Sequence, residues 1–140
     1  MRDARSLLGP DGPFVREVAG FAAREAQQLM AEAVEEAIAG RQVLIAEAGT
    51  GTGKTFAYLV PVLLSGKRVI VSTGTKTLQD QLFHRDLPRV RDVLGARLRA
   101  SLLKGRANYL CLYRLDQASK DGRFGSREQV DQLQTVRAWA

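Results

Sequence analysis

The residues Ala48-Gly49-Thr50-Gly51-Thr52-Gly53-Lys54-Thr55 carry the clearest chemistry in the sequence. Glycines at alternate positions let the backbone curl, so that successive N–H groups face one point and form an anion cradle. A helix starting at the same place adds its own free N–H groups to that cradle. Lys54 then brings a positive charge to the β- and γ-phosphates of a nucleotide, and the Thr55 hydroxyl is placed to ligate Mg²⁺. The spacing is that of the G-x-x-x-x-G-K-[ST] loop, with Ala48 in place of the first glycine. Residues 48–55 are therefore expected to bind a nucleoside triphosphate, ATP with Mg²⁺, with Lys54 and Thr55 closest to the reacting phosphates. A glycine-rich turn that binds nothing is the plain alternative. The flanks weigh against it, because an apolar strand-like run precedes the loop and a helical pattern follows it.

The elements that must position this loop can be read on both sides of it. Residues 24–39 form a helical pattern, with Leu29, Met30, Ala33, Val34, Ala37 and Ile38 on one apolar face and Gly40 as a stop. Residues 43–46 are short and apolar, and predict a buried strand. A helix is expected over 54–64, bent or shortened by Pro61. A second buried strand is expected over 68–72, a helix over 75–87 closed by Pro88, and a short helix over 90–94. Residues 99–103 suggest a further strand, and 109–115 a helix. A last helix over 126–140 opens on Ser126 with Gln129, a capping pair. Strand alternating with helix predicts an α/β fold around a parallel sheet with right-handed crossovers. The division expected is a leader over 1–23 with turn signals at 9–13, a nucleotide-binding part over 24–103, and a separate region over 104–140.

Composition excludes few classes. The chain has 140 residues, 45% hydrophobic and 26% charged, the balance of a globular domain. No apolar run is long enough to span a bilayer, no secretory leader is read at the N-terminus, and no membrane partner is expected. The single cysteine, Cys111, excludes an internal disulfide, and a cytoplasmic location is expected. The net charge is +6, and residues 85–106 hold seven basic side chains against only Asp86 and Asp92. That stretch suits a phosphate-rich partner or is simply a solvated, arginine-rich face; charge alone leaves both open. His84 reads as a surface residue.

Three further segments resemble a known family. Residues 48–55 resemble helicase motif I, and Val71-Ser72-Thr73-Gly74-Thr75-Lys76-Thr77-Leu78-Gln79-Asp80-Gln81-Leu82 resembles motif Ia of superfamily 2 helicases. Lys104-Gly105-Arg106-Ala107-Asn108-Tyr109-Leu110-Cys111 resembles the K-G-R-x-N-Y-x-C segment of DinG/XPD-type iron–sulfur DNA helicases. Arg24-x-x-Gln27-x-x-Met30 resembles that family's upstream adenine-reading motif. The resemblance is greatest to its bacterial YoaA-like branch. It runs from residue 9 to 111 and more faintly to 139.

This resemblance implies the first part of a RecA-like motor domain, followed by the start of an iron–sulfur domain. It implies an ATP-dependent helicase moving 5′ to 3′ on single-stranded DNA in repair or replication. Arg24 and Gln27 would join the loop in nucleotide binding. Thr73, Thr75, Lys76, Thr77 and Gln79 would contact nucleic acid. Cys111 would be the first of four ligands to a 4Fe–4S cluster. Read on their own residues, the threonines fit a helix cap as well as a phosphate contact. Gln27 fits a solvated helix residue as well as adenine recognition, for which its amide has both a donor and an acceptor.

The sequence also departs from the family. No D-E-A-H box and no second motor domain occur between Thr55 and Ala140. The chain is thus expected to be the N-terminal piece of a helicase, inactive by itself, without a cluster of its own, and prone to self-association. A non-catalytic P-loop nucleotide-binding module and a small P-loop phosphotransferase are the alternatives.

Overall fold

Helices dominate the computed structural model, which describes residues 3–140. The chain divides into two units, Met1–Ser101 and Leu102–Ala140. The first carries α1 (Ala4–Leu7), α2 (Pro13–Glu17), α3 (Glu25–Gly40), α4 (Lys54–Leu64), α5 (Lys76–Gln81) and α6 (Leu87–Leu94). A π-helical turn, Leu82–Asp86, joins α5 to α6. The second unit carries a 3₁₀ turn at Arg106–Asn108, then α7 (Leu112–Asp121) and α8 (Arg127–Trp139).

The core of the first unit forms around the packing of α3 on α4. Ala31 of α3 and Ala57 and Val60 of α4 are buried, with Val90 of α6 beside them. The N-terminal residues complete this core: Leu7, Leu8 and Phe14 are buried in it. Phe14 lies 5.7 Å from Phe21 and 5.6 Å from Phe56 between ring centroids, and Phe21 stacks on Phe56 at 5.8 Å. Burying a phenylalanine is worth about 1.5–3 kcal/mol, so residues 3–21 contribute to holding α4 in place. Polar ties act with it. The Ala4 N–H donates to Glu35 Oε2 at 3.0 Å, and Arg5 pairs with Glu32 at 2.6 Å. Asp3 caps α1 by accepting the Ser6 N–H at 2.7 Å, and that bond lowers its carboxyl pKa.

The expected parallel sheet is not formed, and the α/β, RecA-like fold read from the sequence is corrected by the structure. Among the described residues there is no strand. The segments 43–46, 68–72 and 99–103 run without helix and without strand. Ile45 and Ile70 are 93% and 94% exposed. An apolar run of this kind signals a segment suited to burial, but a strand exists only when another lies beside it at about 4.8 Å and takes its hydrogen bonds. A helix closes its hydrogen bonds within itself. The helical half of the pattern therefore forms and the strand half does not.

The helices deviate in two instructive places. Pro88 does not close the helix before it, as its position suggests, but lies in the first turn of α6. Inside a regular helix its ring would meet the carbonyl four residues back. The turn at Leu82–Asp86 is wider, with the Leu87 N–H donating to the Leu82 carbonyl, and the chain stays helical through the proline. In the second unit α7 begins at Leu112, three residues later than the pattern over 109–115 suggests. The Ser126 cap of α8 forms as read: its hydroxyl accepts the Gln129 N–H at 3.3 Å, and Gln129 Oε1 accepts the Gly125 N–H at 2.9 Å.

Candidate nucleotide-binding site

The loop at 48–55 enters α4 through a left-handed glycine. Gly53 is the N-cap of α4 with φ 81° and ψ 28°, and Gly51 has φ 78°, both in the region that favours glycine. The first intrahelical bonds of α4 run from the Phe56 and Ala57 N–H groups to the Gly53 carbonyl, at 3.1 and 3.2 Å. The N–H groups of Lys54 and Thr55 precede the first intrahelical donor, Phe56, and are suited to an anion. Lys54 Nζ donates to the carbonyls of Ala48 and Gly49, each at 2.6 Å. The ammonium thus lies against the loop itself, where phosphate oxygens would replace those two carbonyls as its partners. Thr52 Oγ1 donates to the Gly49 carbonyl at 3.0 Å and helps close the loop.

Gln27 meets this loop from α3. Its side chain is 2% exposed, and Nε2 donates to the Gly53 carbonyl at 3.0 Å. Gly53 must be glycine for a second reason here, since a Cβ on it would fall 2.1 Å from that Nε2. The Gln27 Oε1 atom is buried with no hydrogen-bond partner. A buried amide oxygen left so is costly, at about 1–3 kcal/mol. The Gln27 amide carries both a donor and an acceptor, the pair that an adenine edge requires, with its oxygen out of solvent. Arg24, one helical turn earlier, is the exposed N-cap of α3. Among the described residues its guanidinium makes no hydrogen bond to the loop.

Tyr58 lies three residues beyond Thr55 on α4. Burial pushes the Tyr58 phenol above its ordinary pKa; the Thr55 hydroxyl opposes this, and the negative charge of Asp86 adds to it. Asp86 is 4% exposed and accepts from Arg85 Nε at 2.8 Å and from Gln81 Nε2 at 3.4 Å. The hydrogen bond to Asp86, and then its charge, raise the Arg85 pKa further. Sequence reasoning assigned no role to Tyr58 or Asp86.

Thr75 is the N-cap of α5, accepting the Leu78 N–H at 3.2 Å, and Thr73 Oγ1 donates to the Thr75 carbonyl at 3.2 Å. Lys76 and Thr77 are exposed on the first turn of α5, and Gln79 is half-buried. In the basic stretch Arg85 is paired with Asp86 and Arg91 with Asp92, while Arg89 is exposed. Cys111, the only cysteine, is exposed at the start of α7. No group of three or more His, Cys, Asp or Glu among the described residues could hold a metal ion. A single thiolate does not fit a four-thiolate cluster. No helix among the described residues is long and apolar enough to cross a membrane.

A glycine-rich loop entering a helix, with lysine and threonine at its end and a buried amide beneath it, has the arrangement of a P-loop. The sequence pattern of the DEAD/DEAH box helicase family matches residues 26–132, and the chain belongs to that family. It is 51% identical over 134 residues to the ATP-dependent DNA helicase YoaA of Haemophilus influenzae, covering 96% of this chain and 21% of that protein. The YoaA helicase of Escherichia coli is 49% identical over 133 residues, with 95% and 21% covered. The ATP-dependent helicase DinG of Mycobacterium tuberculosis is 46% identical over 104 residues, with 69% and 16% covered. The chain thus spans about a fifth of the length of the YoaA proteins it matches. No solved structure matches it.

Proposed function

We propose that this chain binds ATP with Mg²⁺ at residues 48–55 as the nucleotide-holding part of an ATP-dependent DNA helicase. The observation that carries this reading is the Gln27 amide. It is buried, fastened to the Gly53 carbonyl, and has an acceptor oxygen without a partner. That oxygen suits the exocyclic amine of adenine, so the site reads the base as well as the phosphates. Lys54 would meet the β- and γ-phosphates, and Thr55 would supply one magnesium ligand. Bound magnesium would neutralise charge developing on the transferred phosphoryl group. The carboxylates that hold the metal from its other side, and orient the attacking water, lie outside these 140 residues in this reading. The names of the relatives favour a helicase over a phosphotransferase or a purely structural nucleotide-binding module.

The finer features follow the same reading. The partner is single-stranded DNA, met by Thr73, Thr75, Lys76, Thr77 and Gln79 at the start of α5. Movement is 5′ to 3′, in repair or replication, in the cytoplasm. Cys111 is one ligand of a 4Fe–4S cluster only in a protein that supplies the other three. A fluorescent ATP analogue titrated into the parent and Lys54→Ala tests the core of the reading. A charge-assisted hydrogen bond of about 1.5–3 kcal/mol corresponds to a roughly 10- to 150-fold loss of affinity. Equal binding by the two proteins would refute it.

A further inference from the structure

We propose that Phe14 is a positioning residue for the phosphate-binding loop: it reaches from α2 to Phe56 on the first turn of α4 and fixes how that turn presents its free N–H groups. The inference rests on the reading of residues 48–55 as a nucleotide site, and adds that the N-terminal segment sets the affinity of that site. Phe14 is 0% exposed and packs on Phe21 and Phe56, with ring centroids 5.7 and 5.6 Å away. Phe56 follows Thr55 directly, and its N–H donates to the Gly53 carbonyl at 3.1 Å. The same carbonyl accepts the Gln27 amide at 3.0 Å. A displacement of Phe56 is therefore passed to Gly53, the residue that turns the loop into the helix.

The first turn of α4 needs such an anchor. Pro61 lies inside the helix and has no N–H to give the Ala57 carbonyl one turn back. The turn is thus tied to the rest of α4 by one backbone bond fewer, and its setting depends more on what its side chains pack against. Of its residues, Lys54 and Thr55 serve the loop and Ala57 offers only a methyl, which leaves Phe56 as the one large apolar side chain. The brace is itself fixed. Gly12, the N-cap of α2, donates its N–H to the Gly9 carbonyl at 3.0 Å, and a Cβ on it would overlap the Leu7 carbonyl. Pro13 then starts α2 with a preset φ, and Phe14 is the next residue. Upstream, α1 is tied to α3 through Glu35 and Glu32.

The test titrates ATP, and separately inorganic triphosphate, into the 140-residue chain by calorimetry, with helical content checked by circular dichroism. Phe14→Leu keeps an apolar side chain in the core and loses the ring contacts. It is expected to bind both ligands about 3- to 10-fold more weakly, the range of one net hydrogen bond, and by the same factor, because the loss falls on the phosphates. Gly12→Ala leaves the rings intact but displaces α2, and is expected to weaken both ligands in the same way. Val90→Ala truncates a side chain buried in the same core from α6, and is expected to keep the parent's affinities. Unchanged affinity in Phe14→Leu overturns the proposal. So does a loss confined to ATP, which would put the effect on the base, or an equal loss in Val90→Ala, which would make it general destabilisation. If Phe14→Leu lacks the parent's helicity, Phe14→Met carries the same expectations and the same refutations. A parent that binds neither ligand instead overturns the underlying reading of the loop.

Discussion

Gly53→Ala tests how α3 and the loop depend on one another. Gly53 sits at φ 81°, where an alanine costs about 1–2 kcal/mol in backbone strain. The new Cβ would fall 2.1 Å from Gln27 Nε2 and 2.9 Å from its Cδ, closer than real atoms approach. The amide must leave its buried position, at a further cost of about 1–3 kcal/mol. Gly53→Ala is therefore expected to destabilise the chain by about 2–5 kcal/mol. Gln27→Ala alone should be mild. The Gly53 carbonyl keeps the Phe56 and Ala57 N–H groups at 3.1 and 3.2 Å, and an unpartnered buried oxygen is removed. With alanine at 27, only the backbone term of Gly53→Ala remains. A double-mutant cycle by urea unfolding should give a coupling of about 1–3 kcal/mol. In nucleotide titrations Gln27→Ala should also lose preference for ATP over GTP. If Gly53→Ala costs the same in both backgrounds, the placement of Gln27 beneath the loop is wrong.

Two more expectations concern the surface. Lys76→Glu combined with Arg89→Glu should weaken binding to all single-stranded oligonucleotides about equally, and parent binding should fall steeply with salt, since phosphate contacts release counterions without reading bases. Fluorescence anisotropy at two salt concentrations checks this, and a double variant that matches the parent would leave the basic stretch as a solvated face. Ile45 and Ile70 project from unpaired extended segments, so the chain should associate as concentration rises, and Ile70→Lys should reduce that association in sedimentation velocity. A parent that stays monodisperse throughout would show that these segments are not adhesive.

What the sequence determined by itself was whatever depends on near neighbours along the chain. The spacing of Gly51, Gly53, Lys54 and Thr55 identified the loop, because a cradle of successive N–H groups is built from consecutive residues. The α4 boundaries at Lys54 and Leu64 and the Ser126 cap were legible for the same reason: helices and caps close their hydrogen bonds within a few residues. Helix α3 was legible too, from its apolar face. The strand runs over 43–46 and 68–72 misled, because a strand is an agreement between distant segments and the runs carry only one side of it. Phe14 could not be placed among Phe21 and Phe56 from its own neighbourhood of turn residues. Gln27 on α3 gave no sign that its amide would be buried against Gly53, 26 residues away. Asp86 read as one of two acids among arginines, yet folding removes it from water and holds it against Gln81 and Arg85. Burial of a polar group is decided by what packs over it, and only the tertiary structure supplies those neighbours.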